Sequence, residues 1–136
     1  MDSTQPIPGP DLPLINIRKL QTFVMLGIDD YVEMLGDLMR EVPEQLEQIR
    51  IAIEQGNLED CREHAHSMRG ILGYFGCVTM TRRLASLESR TSLMPEDAAA
   101  TCEEFQTLWH DSLVAIREWE KSIPEFAGIA GKSPLQ

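Results

Sequence analysis

The stretch REHAHSMRGILGYFG, residues 62–76, places two histidines two positions apart, beside arginines and three glycines. Imidazole can hold a metal ion or act as a nucleophile, and the spacing separates the two chemistries. A helix turns about 100° per residue, so His64 and His66 point about 160° apart and cannot grip one ion from one helix. HxH is a metal signal on a strand. No HExxH motif and no carboxylate cluster supplies a ligand set elsewhere, so no metal site is expected. With His66 as reference, Arg62, Arg69, Gly70 and Gly73 all lie within about 60° of it around the helix. Ala65, Met68 and Leu72 form the adjoining apolar stripe. His66 is therefore expected at the edge of the buried face, with two arginines beside it and backbone bared at Gly70 and Gly73. His64 is expected to face solvent.

Glycine inside a helix costs roughly 1 kcal/mol against alanine. One reading is that the bare backbone opens His66 to something large, such as a protein surface, while the arginines suit an anion. The plainer reading is that Gly70 and Gly73 permit close helix packing around an ordinary boundary histidine. Charge favours the first. Residues 62–90 hold Arg62, Arg69, Arg82, Arg83 and Arg90 against Glu63 and Glu88, a net of +3, which leaves −13 on the remainder of a chain of formal charge −10. If the helices bearing these arginines are neighbours, a positive surface surrounds His66 and suits an acidic partner and a phosphoryl group.

The elements that must position these residues are helical. At 136 residues, with 43% hydrophobic and 25% charged side chains, the chain suits one globular domain. No apolar run approaches a membrane span, and the N-terminus lacks the basic and apolar regions of a signal peptide. The strong negative charge argues against nucleic acid or an anionic membrane as partner. Cys61, Cys77 and Cys102 form no CxxC and are expected as reduced thiols of a cytoplasmic chain. Pro6, Pro8, Pro10 and Pro13 predict a flexible arm over residues 1–13, and residues 124–136 a flexible tail.

Between them, over 14–123, apolar residues recur at steps of three and four. Asn16 to Leu26 reads as a short helix closed by Gly27. Tyr31, Leu35, Leu38, Val42, Leu46, Ile49 and Ile53 form the stripe of a second helix closed by Gly56. Asp30 and Glu33 resemble its capping box, and Pro43 is expected to kink or break it. Asn57 can cap a third helix facing inward through Leu58, Cys61, Ala65, Met68 and Leu72. A fourth follows Gly76 with Met80, Leu84 and Leu87 inward. Pro95 starts the last, whose stripe is Ala98, Cys102, Phe105, Trp109, Ile116 and Trp119. The pattern predicts an all-α fold, an antiparallel four-helix bundle with an additional short N-terminal helix.

The segment HSMRGILGYFGCVTMTRRLASLE, residues 66–88, resembles the signature of histidine-containing phosphotransfer (HPt) domains. Met68, Arg69, Gly70, Gly76, Leu87 and Glu88 occupy its apolar, basic, glycine and Leu-Glu places, and a looser resemblance covers 16–122. Ile71 stands where a small or hydroxyl residue is common, Arg69 where lysine is commoner, and Val78 where some members carry a phosphate-side glutamine. The resemblance implies a two-component phosphorelay. His66 would accept a phosphoryl group from one receiver-domain aspartate and pass it to another. Arg69 would stabilise the phosphate, and Arg62, Gly70, Gly73, Arg82 and Arg83 would meet the partner. Partners would be response-regulator receiver domains and a hybrid sensor histidine kinase. Mg²⁺ would sit on the receiver and no cofactor on this chain, a monomeric phosphocarrier without a nucleotide site. Two rivals remain: a non-catalytic docking bundle of the same fold, and a metal- or cofactor-binding four-helix protein.

Overall fold

The computed structural model describes residues 13–126. The expected helices form: α1 (Ile17–Leu26), α2 (Ile28–Glu54), α3 (Leu58–Phe75), α4 (Val78–Glu88) and α5 (Ala98–Glu120), with a 3₁₀ turn over Pro95–Asp97 before α5. Helices α2 to α5 make the bundle, and α1 packs on α2 and α3. Side-chain partners give the antiparallel order. Tyr31 at the start of α2 meets Phe75 at the end of α3 and Glu120 at the end of α5. Further along α2, Gln45 meets His64. Helix α3 runs back along α4, where His66 meets Glu88.

The predicted apolar stripes are the core. Tyr31, Leu35, Leu46, Ile49, Cys61, Ala65, Leu72, Met80, Leu84 and Ile116 are all essentially inaccessible to water. Removing such side chains from water is the main favourable contribution to the fold. Asn57 caps α3 as expected, accepting the backbone N–H of Asp60 at 3.1 Å, and Asn16 caps α1 by accepting that of Lys19 at 3.1 Å. All three cysteines are buried and free, and burial pushes the Cys77 thiol up to about 12.

Three local expectations give way to tertiary packing. Of the kink or break expected at Pro43, the break does not occur: helix α2 runs through it, with Val42 and Leu46 on either side both buried. Asp30 does not cap α2. Gly27 ends α1 by donating to the carbonyls of Phe23 and Val24, then accepts from Tyr31 N–H at 3.1 Å, so one residue closes one helix and opens the next. Asp29 and Asp30 instead lie in the first turn, where negative charge suits the helix dipole. At the other end, Phe126 was expected in the flexible tail but is buried against Tyr31 and Trp119, with ring centroids 5.4 and 6.2 Å away. Residues 1–12 and 127–136, the bulk of the expected arm and tail, lie outside the described residues.

The joint between α3 and α4 decides where the functional face sits. Gly76 ends α3 in the left-handed region, φ +107°, which side chains with a Cβ rarely adopt. This turn lets residues 13–16 lie across the junction. Asn16 N–H donates to Gly76 O at 2.7 Å, and Val78 N–H to Leu14 O at 3.0 Å. Thr79 Oγ1 donates to Pro13 O at 3.1 Å. Helix α4 has no side-chain cap, and Leu14 O takes the first of its free backbone N–H groups, that of Val78. A Cβ on Gly76 would lie 3.3 Å from the carbonyl oxygen of Asn16. Gly76→Ala is expected to lower stability by about 1–3 kcal/mol, from the strained backbone and that contact together. Urea denaturation measures it, and a loss under a few tenths of a kcal/mol would show that the junction relaxes freely.

Candidate functional site

Helix α3 carries the candidate site, and its apolar stripe sets its rotation. With Cys61, Ala65, Met68 and Leu72 buried, residue 66 has to project from the bundle edge, and the His66 side chain is 66% exposed. One turn on, a Cβ placed at Gly70 would meet nothing within 4 Å. Gly70 therefore leaves open space beside the imidazole and performs no packing.

Gly73 differs. Its missing Cβ would lie 3.4 Å from Thr81 Cγ2 on α4, and its carbonyl accepts Lys19 Nζ at 2.9 Å. It belongs to the α3–α4 seam, where an added Cβ would touch Thr81, whereas open space lies beside Gly70.

Close approach of the two helices brings the last residue of α4 onto the middle of α3. Glu88 Oε2 lies 2.6 Å from His66 Nδ1, and Glu88 Oε1 accepts Arg69 Nε at 2.7 Å. Arg62 Nε donates to the backbone carbonyl of Glu88 at 2.9 Å. Arg69 Nη2 also stands 3.2 Å from His66 Nδ1. One ring nitrogen cannot donate to a carboxylate and accept from a guanidinium at once. The shorter, charge-assisted contact takes precedence, which puts the proton on Nδ1. The lone pair of the neutral ring is then on Nε2. The Arg69 guanidinium, and secondarily His66, hold the Glu88 carboxyl below the usual carboxylate range, so it stays ionised at neutral pH.

The other sequence-predicted residues divide. Arg62 and Arg69 converge on Glu88 beside His66. Arg69 rests on that carboxylate instead of standing free. Arg82 is exposed and lines a groove of about 290 Å³ between α1, α3 and α4, together with Arg69, Gly73 and Lys19. Arg83 turns away and pairs with Glu104 on α5, so it ties the bundle together and is not part of this face. His64 is half-buried, with Nδ1 2.8 Å from Gln45 Oε1 on α2, and does not simply face solvent. A second, wider groove of about 630 Å³ lies on the other flank, lined by Glu59, Arg62, Glu63, His66 and Glu88.

Two residues of the site were not singled out by helical spacing, Glu88 and Lys19. Glu88 is 22 positions from His66 and Lys19 is 54 from Gly73, so only the packing of separate helices joins them. The Leu-Glu that ends the resemblance was the one available signal for Glu88.

A family model described as Hpt domain matches residues 33–119, more than half of the chain. No curated protein and no solved structure matches.

The two glycines are expected to separate on substitution. Gly70→Ala should raise stability by up to about 1 kcal/mol, the ordinary helix-propensity gain in open space. Gly73→Ala should gain less or lose, because its new methyl meets Thr81 at the seam. Denaturant midpoints of the two variants check this, and equal gains would show that the seam imposes no restriction at Gly73.

Proposed function

Since the chain belongs to the Hpt domain family, whose members are phosphocarrier modules of histidine phosphotransfer, we propose that it shuttles a phosphoryl group between receiver-domain aspartates through His66. The observation that carries this reading is an exposed imidazole whose Nδ1 is engaged by Glu88, leaving Nε2 as an open nucleophile. Histidine suits the task because its neutral form is plentiful near neutral pH.

In the forward step, Nε2 attacks the phosphorus of an aspartyl phosphate on the partner. The N–P bond forms as the P–O bond breaks, and the bonding pair departs with the aspartate carboxylate. The ring keeps its Nδ1 proton and becomes cationic, and the Glu88 carboxylate offsets that charge. Transfer to a second receiver reverses these events. Alignment and charge neutralisation dominate such reactions. This chain supplies the oriented nucleophile, and the partner supplies its aspartate and the Mg²⁺ in its acidic pocket.

Arg69 acts first as a positioning residue, because its Nε is committed to Glu88 in the resting protein. Its Nη groups are the donors left to turn toward a phosphoryl group while Nε stays on Glu88. The donors and acceptors fitting this role are response-regulator receivers and the receiver of a hybrid sensor histidine kinase, in the cytoplasm. Among the described residues no helix is long and apolar enough to cross a membrane.

The deciding experiment is phosphotransfer from phosphorylated receiver domains of the source genome, with acid-labile phosphate mapped on the chain. His66→Gln is expected to abolish labelling and His64→Gln to retain most of it. Binding without labelling would make the chain a docking bundle instead. Glu88→Ala is expected to leave labelling at His66 but slow it by about tenfold, part of what an orienting carboxylate supplies in a buried site. Nitrogen-15 spectra of the neutral ring should show the proton on Nδ1 in the parent and a mixture of tautomers in Glu88→Ala. Identical tautomer populations would remove Glu88 from the mechanism.

A further inference from the structure

The two grooves that flank the His66–Glu88–Arg69 cluster differ in charge. The wide groove carries Glu59, Glu63 and Glu88 against Arg62. The groove between α1, α3 and α4 has Lys19, Arg69 and Arg82 in its lining and no carboxylate at all. On a chain of net charge −10, a recess with Lys19 and Arg82 beside the Glu88-paired Arg69, and no carboxylate in its lining, is a local inversion. Gly73 and Thr81, which face each other across the α3–α4 seam, also line it. Lys19 Nζ spends one hydrogen on Gly73 O and has two more to offer, and Arg82 is exposed on the facing helix.

We infer that this groove is the docking site for a carboxylate-bearing loop of the receiver domain, with Lys19 and Arg82 as the specificity-determining pair. The inference rests on the relay reading and adds an orientation to it. A receiver bringing its acidic surface to His66 is attracted over the α1–α4 side and repelled from the Glu59–Glu63 side. Only one of two opposed approaches is then favourable, which is what charge placement at a rim contributes to association. Lys19 lies outside the matched segment, residues 33–119, so part of partner choice resides in α1.

The test is charge reversal at both residues, Lys19→Glu with Arg82→Glu, against a control of equal charge change away from the groove, Arg18→Glu with Arg40→Glu. Each variant is assayed with the receiver that transfers fastest to the parent chain, and separately with phosphoramidate, a small donor that needs no docking. The groove variant is expected to raise KM for the phosphorylated receiver by about tenfold and leave kcat within about threefold. The control should raise KM much less. Circular dichroism and melting verify the fold, and the milder pair Lys19→Gln with Arg82→Gln should give the same effect at smaller size. Equal KM changes in groove and control variants, or none in either, would overturn the groove. A parent chain labelled by neither donor would overturn the relay reading and this inference with it, whereas phosphoramidate labelling with an unmoved KM overturns the groove alone.

Discussion

The carboxylate of Glu88 sets the main geometric constraint on this molecule. Its two oxygens reach two side chains of a different helix, His66 and Arg69, and its backbone carbonyl takes a third, Arg62. For one residue to do this, α4 must run antiparallel to α3, close to it and in one register. Gly73 faces Thr81 across the seam, and the left-handed Gly76 makes the reversal in one residue. Residues 13–16 then hold the reversal from outside through backbone hydrogen bonds. The glycines at 70, 73 and 76 therefore have three separate physical reasons, space, packing and backbone conformation, although they look alike in the sequence.

Periodicity made the helices legible because each burial stripe is a property of one helix. Ala98, Cys102, Phe105, Trp109, Ile116 and Trp119 could be read along α5 without knowing what they touch, and all are buried. The same logic placed His66 at an exposed edge. It could not say which residues of another helix stand opposite, since that depends on crossing angle and register. Glu88 and Lys19 escaped for this reason, and Arg83 was grouped with Arg82 although neighbours in a helix point about 100° apart. One meets the groove and the other meets Glu104 on α5. Helical spacing gives no sign of Gln45 across the α2–α3 interface, so the pattern alone places His64 in solvent. Local rules suggest a kink or break at Pro43 and a cap at Asp30; the helix runs on through the first, and Gly27 takes the place of the second.

Chemically, the cluster separates holding the imidazole from exposing it. A buried histidine would be rigid but unreachable by another protein's aspartate. An exposed one is reachable but free to rotate and to carry its proton on either nitrogen. Here the ring is anchored from its Nδ1 side by Glu88, whose own orientation is fixed by Arg69, so the exposed edge inherits order from groups beneath it. The anchor also matches the electrostatics of the proposed transfer. Nε2 becomes bonded to phosphorus while positive charge spreads over the ring, and the ionised carboxylate already lies where that charge develops. The compensating charge is supplied by a group already in place.

The resting pairing of Arg69 with Glu88 gives the proposed carrier a way to respond to its load. A phosphoryl group on Nε2 adds negative charge at the outer edge of the ring, while Arg69 is bonded at the inner edge. Glu88 Oε1 and the phosphoryl oxygens then share one guanidinium. Because both states lie near the surface, water screens each of them and neither can dominate by a large margin. That balance suits a carrier that has to release what it accepts. A guanidinium bound only to the phosphoryl group would favour the loaded state and slow onward transfer, whereas one shared with Glu88 holds that group less tightly. The fork at Glu88 thus links the helix seam that builds the site to the reversibility that a relay requires.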